Sequence, residues 1–297
     1  MGTSLTVDRL ELADTGQPLR LAELVIAQLQ PQLTTLLPLP VEDVARACGI
    51  SEFHEISSDG MEGGLIQNAE KTHGFILTKA GSRHDRRRFT VAHELGHFLN
   101  AFHVAPPGAD RLLCTGQHLR TYGKSSDPRL GMEGQANEFA VNILMPTQPL
   151  RALSHLWGSP QIKAILDLQA ACDVSKEAAA RRFVDLHGDP CAVVFSRNGR
   201  VRYSVSAGGF PRIQPCNDQP VHRKTLSAIF SGEPGRISEQ EEADPHLWLE
   251  SRDARNWELW EEVLVQQDGY RMTLLIGEES SNEENDELQR RWTPRFR

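Results

Sequence analysis

Residues 86–103 read RRRFTVAHELGHFLNAFH, with two histidines four apart around a glutamate inside an apolar run. In an α-helix, positions i and i+4 share a face, with Cβ atoms about 5–6 Å apart. His93 and His97 can therefore direct two imidazoles at one ion, and Glu94 projects beside it. Such a pair suits tetrahedral zinc, which lowers the pKa of a bound water to about 7, so that a neighbouring carboxylate can complete the deprotonation. An amphipathic helix that merely carries histidines is the competing explanation. With 11 histidines in 297 residues, a chance HExxH has a probability of roughly 3%. The flanks Phe89, Val91, Ala92, Leu95, Phe98 and Leu99 leave only the His/Glu face polar. A helix of that kind is buried, and polar groups buried without partners are costly. A metal ion is the partner this face asks for.

A third protein ligand is needed, and the residues offer two. Glu133 lies on the next helical segment, MEGQANEFAVNILMP. His103 follows His97 by six residues, so HELGHFLNAFH nearly matches the pattern HExxHxxGxxH. Asn100 stands where that pattern has glycine. The turn there needs a positive φ, which asparagine tolerates next best.

The rest of the chain reads as an α+β protein. LRLAELVIAQLQ has helical spacing before Pro31, and Val41, Val44, Ala45 and Cys48 form one apolar face of a short helix ended by Gly49. FHEIS, GGLIQNA and HGFILTKA are strand-like. The last of these is expected as an edge strand that holds an extended peptide beside the metal, with an interior strand as the alternative. The stretch from Pro106 to Gly131 reads as a long loop, whose His118, Arg120 and Tyr122 read as ordinary loop residues, with stabilisation of an oxyanion as the alternative. A helix is expected over about 132–145, then PQIKAILDLQAACD and SKEAAARRFVDLHG, the latter N-capped by Ser175 and terminated by Gly188. Beyond 188 the apolar period changes from 3.6 to 2, with hairpin turns at Asn198-Gly199 and Asp268-Gly269. The boundaries that follow are a catalytic domain at 1–150, a helical segment at 151–188, a β-containing domain at 189–280 and a charged tail at 281–297.

Composition narrows the function classes. The formal charge of −8 provides no bulk positive field for nucleic acid or an acidic membrane. The five cysteines (48, 114, 172, 191 and 216) never fall at CxxC spacing, which fits reduced thiols. MGTSLTVDRLELADTGQ lacks the basic start and apolar stretch of a signal peptide, and LAELVIAQLQPQL is too short to span a bilayer. A cytoplasmic protein without a membrane partner is expected.

RRRFTVAHELGH, followed about thirty residues later by Glu133-Gly-Gln-Ala136-Asn137-Glu-Phe139-Ala140-Val-Asn-Ile-Leu144-Met145-Pro146, resembles the ImmA/IrrE family of metallopeptidases. The upstream LPVEDVARACGI suits the family's start, and the resemblance runs from about 38 to 150 and on into the helices before 188. It implies a zincin-like fold, zinc (or manganese in cells) held by His93, His97 and Glu133, and Glu94 as general base. Asn137, one turn after Glu133, reads either as a hydrogen-bond partner of a ligand or as an asparagine that caps backbone or faces water. The implied substrate is a helix-turn-helix transcriptional repressor, cut to release stress or mobile-element genes. A regulatory or binding protein on a zincin scaffold, without hydrolysis, is the alternative.

The helices at 161–187 resemble a helix-turn-helix, which raises the rival possibility of a DNA-binding regulator. Lys163, Lys176, Arg181 and Arg182 are balanced there by Asp167, Asp173, Glu177 and Asp185, so the segment lacks the basic footprint of a groove-reading helix. Direct DNA binding is therefore disfavoured. The second domain carries no chemical motif; the radiation-response branch of the family implies a GAF-like sensor there. Trp248, Trp257, Trp260 and Tyr270 read as aromatic core rather than pocket lining, and Cys191 and Cys216 as structural thiols rather than redox sensors. The run Arg86-Arg87-Arg88 reads as a solvated basic surface or a contact for an acidic partner.

Overall fold

The computed structural model describes residues 5–57, 60–104 and 127–280, together with the backbone of 111–115. His118, Arg120, Tyr122 and the tail at 281–297 lie outside the described residues. The fold is α+β and divides into two units, Met1–Ser154 with Asp167–Ala179, and His155–Leu166 with Ala180–Arg297.

In the first unit, helix α1 (Pro18–Leu29) starts on a proline at its first turn, where a missing N–H is tolerated. Its stripe of Leu21, Ala22, Val25, Ile26 and Leu29 is buried. Helix α2 (Val41–Ala47) buries Val41, Val44 and Ala45, with Cys48 also buried at its end. Gly49 then takes φ +107°, a conformation that side chains resist, and the chain enters β1 (Ile50–Ile56). Strands β2 (Met61–Gln67) and β3 (Gly74–Lys79) precede helix α3 (His84–Leu99), and β4 (Arg111–Thr115) precedes helix α4 (Pro128–Leu144). The sheet order is β1-β3-β2-β4, with β1 and β3 parallel and the other neighbours antiparallel.

Two expectations change here. HGFILTKA forms β3, which is interior and paired on both sides, because α3 packs across β2 and β3 and draws Gly74, Ile76 and Thr78 beneath it. Within the stretch expected as a long loop, RLLCT pairs with β2 as β4, and α4 begins at Pro128. Asp127 caps α4, its side chain accepting from Arg129 N at 2.9 Å.

The arginine run is consumed inside this unit rather than displayed. Arg87 donates to Glu42 and Glu55, and Arg86 lies 3.5 Å from Glu62. Arg88 is buried and donates to the carbonyl oxygens of Leu39, Cys172 and Asp173. Its guanidinium thereby satisfies the final carbonyls of a helix that has no further intrahelical donors.

Helix α5 (Thr147–Arg151) is followed by α6 (Ile162–Cys172) and α7 (Lys176–Leu186), and the division between units runs through the last two. They are joined at Asp173–Ser175, where Asp173 has φ +53° and Ser175 Oγ accepts from Ala178 N as the expected N-cap.

The second unit is a five-stranded antiparallel sheet built from β5 (Cys191–Arg197), β6 (Arg200–Ser206), β7 (Glu241–Ala243), β8 (Trp257–Val265) and β9 (Tyr270–Glu279), in the order β6-β5-β9-β8-β7. A short helix α8 (Leu226–Ile229) lies between β6 and β7. Asn198-Gly199 takes consecutive positive φ in a two-residue hairpin turn, and Asp268-Gly269 does so within the three-residue turn Gln267–Gly269 between β8 and β9. Ala192, Val194, Phe210, Trp248, Leu259 and Leu275 share one core cluster, with Trp257 packed against it. Tyr270 lies outside that cluster, beneath the guanidinium of Arg197. Cys191 is buried but Cys216 is exposed, so only the first fits the expected structural thiol. Among the described residues, no helix is long and apolar enough to cross a membrane.

Candidate metal centre

Every residue of α3 from Thr90 to Leu99 is buried, because the helix is enclosed by the sheet and by α2 and α4. Two glycines permit this closeness. A Cβ at Gly96 would come within 2.9 Å of Phe139 Cδ1 on α4. A Cβ at Gly63 on β2 would run into Thr90 Cγ2 and lie 3.1 Å from Glu94 Oε1. Glycine at these positions lets a strand and a helix approach the HELGH turn.

The approach of α3 and α4 brings His93, His97 and Glu133 together, with one ligating atom from each within 4.8 Å of the others. His93 Nε2 lies 3.2 Å from Glu133 Oε2 and 3.2 Å from His97 Nε2, and His97 Nε2 lies 3.5 Å from Glu133 Oε2. Ligands about 2.0–2.1 Å from a tetrahedral zinc stand about 3.4 Å apart. The triangle of donor atoms has that size. Glu94 is buried on the same turn, 0% exposed, beside Gly63.

The outward ring nitrogens fix how the imidazoles present themselves. His93 Nδ1 donates to Asn137 Oδ1 at 2.9 Å, which leaves Nε2 as the lone-pair atom facing Glu133. His97 Nδ1 lies 2.9 Å from His103 Nδ1, and His103 Nε2 lies 2.8 Å from Gln135 Oε1. Two lone-pair nitrogens and a carboxylate oxygen packed this closely repel one another unless a cation sits among them. The donor set therefore fits a divalent ion of the zinc type.

Electrostatics agree. Burial pushes His97 down to about 3, so the ring is neutral, as a metal ligand must be.

His103, the rival third ligand from sequence, is placed on the far side of His97 from the triangle. Asn100 does not adopt the positive φ that the alternative pattern requires; its φ is −77° and ψ 109°. The bend is made instead by its side chain, which accepts from Phe102 N and donates to Gly16 O. Two residues escaped sequence reasoning. Gln135 partners His103, and Lys71 donates to the carbonyls of His97 and Asn100 at the end of α3. Burial lowers Lys71 to about 8. Both contacts join distant segments, and no local pattern signals them.

Residues 52–184 match the family model described as Peptidase_M78, IrrE N-terminal-like domain. Among solved structures, a Mycobacterium tuberculosis transcriptional regulator is similar, with a TM-score of 0.52 and 16% identity, over 91% of this chain and 79% of that one. At that identity the likeness concerns the fold. A search of curated proteins by sequence finds no match. With the HELGH helix, its enclosing sheet and the converging side chains established, residues 52–184 are an IrrE N-terminal-like domain, of the ImmA/IrrE metallo-endopeptidase family that the sequence resembles.

Proposed function

We propose that this protein is a zinc-dependent endopeptidase that cuts a partner protein, a helix-turn-helix transcriptional repressor, and so derepresses stress or mobile-element genes. The observation that carries the reading is the buried triangle of His93, His97 and Glu133, sized for one ion and lined by Glu94 on the same turn. His93, His97 and Glu133 would hold the metal, zinc or manganese. When bound, such an ion supplies Lewis acidity toward the scissile carbonyl and acidifies water. Glu94 acts on the protons: it takes one from the attacking water and delivers it to the leaving amine nitrogen. Asn137 orients His93 through its Nδ1.

Strand addition at β4 is the proposed mode of substrate capture, in place of the strand expected from sequence. β4 is an edge among the described strands, and its partner β2 carries Gly63 against Glu94.

A packing role for α6 and α7, rather than DNA reading, is supported by the arginines of α7. Arg182 is 6% exposed and paired with Asp185, and Arg181 lies over the Tyr203 ring. The sensory, GAF-like role of the second unit rests on the family resemblance.

Co-expression with the candidate repressor tests the whole reading. Glu94→Gln should retain stoichiometric zinc and lose cleavage by a factor on the order of 10²–10⁴. Cleavage at the wild-type rate in that variant would end the mechanism.

A further inference from the structure

We propose that His103 is a positioning residue for the metal centre, relaying the carboxamide of Gln135 through its ring to His97 and so fixing which nitrogen of His97 faces the ion. The inference rests on the metal-site reading above and assigns a function to a residue outside the ligand set.

The hydrogen-bond directions form one consistent chain. Gln135 Oε1 is an acceptor only, so His103 Nε2, 2.8 Å away, carries the proton and donates. A neutral imidazole has one N–H, so His103 Nδ1 is then the acceptor. His97 Nδ1, 2.9 Å from it, must donate. That leaves His97 Nε2 without a proton, and this is the atom 3.2 Å from His93 Nε2 and 3.5 Å from Glu133 Oε2. In the opposite tautomer, His97 would point an N–H at the place a cation needs.

Placement supports the relay. His103 is 1% exposed and its ring is tilted against that of His97, with centroids 4.9 Å apart. Its Nε2 is directed at Gln135 and its Nδ1 at the nitrogen of His97 that is turned away from His93 and Glu133. Gln135 lies two residues after Glu133 on α4, so the helix that supplies the carboxylate also supplies the far end of the relay. His93 is served in a parallel way by Asn137 from the same helix.

The test uses the full chain with His103→Phe, His103→Asn and Gln135→Leu. Phenylalanine fills the space without an acceptor. Asparagine places Oδ1 the same number of bonds from Cβ as Nδ1 and can accept from His97. Gln135 is on the exposed side of α4, so its replacement leaves the core intact. Two readouts are needed: zinc affinity by chelator competition, and the His97 tautomer by nitrogen-15 NMR of the metal-free protein. The wild type should show the Nδ1–H tautomer. His103→Phe should lose it and bind zinc about 10–100-fold more weakly. His103→Asn should recover most of both, and Gln135→Leu should mix the tautomers with a smaller loss of affinity.

Wild-type affinity and tautomer in His103→Phe would overturn the proposal. So would a fall in affinity that His103→Asn fails to rescue, accompanied by three imidazoles in the X-ray absorption spectrum of the wild type, since His103 would then be a ligand. Failure of the wild type to bind zinc would instead count against the metal-site reading, while the NMR readout would still decide the relay.

Discussion

Glu133 in the first unit and Glu261 in the second are 3% and 1% exposed, yet they face different chemistry. Glu261 sits on β8 and accepts from Trp248 Nε1 at 2.5 Å and from Ser227 N at 3.0 Å. Those donors tie Trp248 and α8 to the sheet, and burial still raises this carboxyl above its ordinary value. Glu133 instead faces the Nε2 atoms of two imidazoles, each with its other nitrogen held by a neighbour. A carboxylate met by N–H donors is complete within the protein. One grouped with lone-pair nitrogens forms a donor set that suits a shared cation. The same residue type at the same depth is a structural clamp in one unit and a corner of a donor triangle that fits a metal ion in the other.

Breaking the first arrangement should have the largest effect. Glu133→Ala should weaken zinc binding by more than the roughly 10–100-fold that an orienting neighbour contributes. Chelator competition measures this, and near-wild-type affinity would show that the triangle is not the site. Glu261→Ala should do the reverse, leaving zinc affinity unchanged while stranding two buried N–H donors. At about 1–3 kcal/mol for each, unfolding in urea should report a loss of about 2–6 kcal/mol. A loss confined to zinc affinity would reverse the roles assigned to the two carboxylates.

Acid should separate the units more gently. In metal-free protein, burial holds His97 at about 3 and His103 at about 4, below the ordinary 6.5. The unfolded chain then binds more protons than the folded one, so this contribution to stability is lost as pH falls through 6.5 toward about 4. For Glu261, raised above 4.5, the folded state holds the extra proton, and its contribution grows as pH falls. Hydrogen exchange at about pH 5 against about pH 7.5 should show α3 and α4 losing protection while β8 does not. Equal losses in both units would erase the contrast.

How much of this was legible depended on how local the cause was. The His93–His97 pairing follows from helical geometry over five residues, and the hairpin turns from Asn198-Gly199 and Asp268-Gly269, residue pairs that tolerate positive φ locally. Glu133 was legible as one of two choices, and the family resemblance favoured it over His103. The interior place of β3 was not legible, because edge and centre differ only in what pairs on the second side. Nor was the fate of Arg86, Arg87 and Arg88, whose partners Glu62, Glu42 and Asp173 are brought to them by the fold.

The amino-acid order alone determined that one helix would carry two imidazoles and a carboxylate on a single face, since a 3.6-residue repeat leaves no other arrangement. Tertiary packing decided the remainder. Gly96 against Phe139 set how near α4 could come, and that approach brought Glu133 to the two imidazoles and left His103 against the far nitrogen of His97. Donor atoms must agree to within tenths of an ångström to share an ion, and that precision comes only from segments forty residues apart being pressed together in one core.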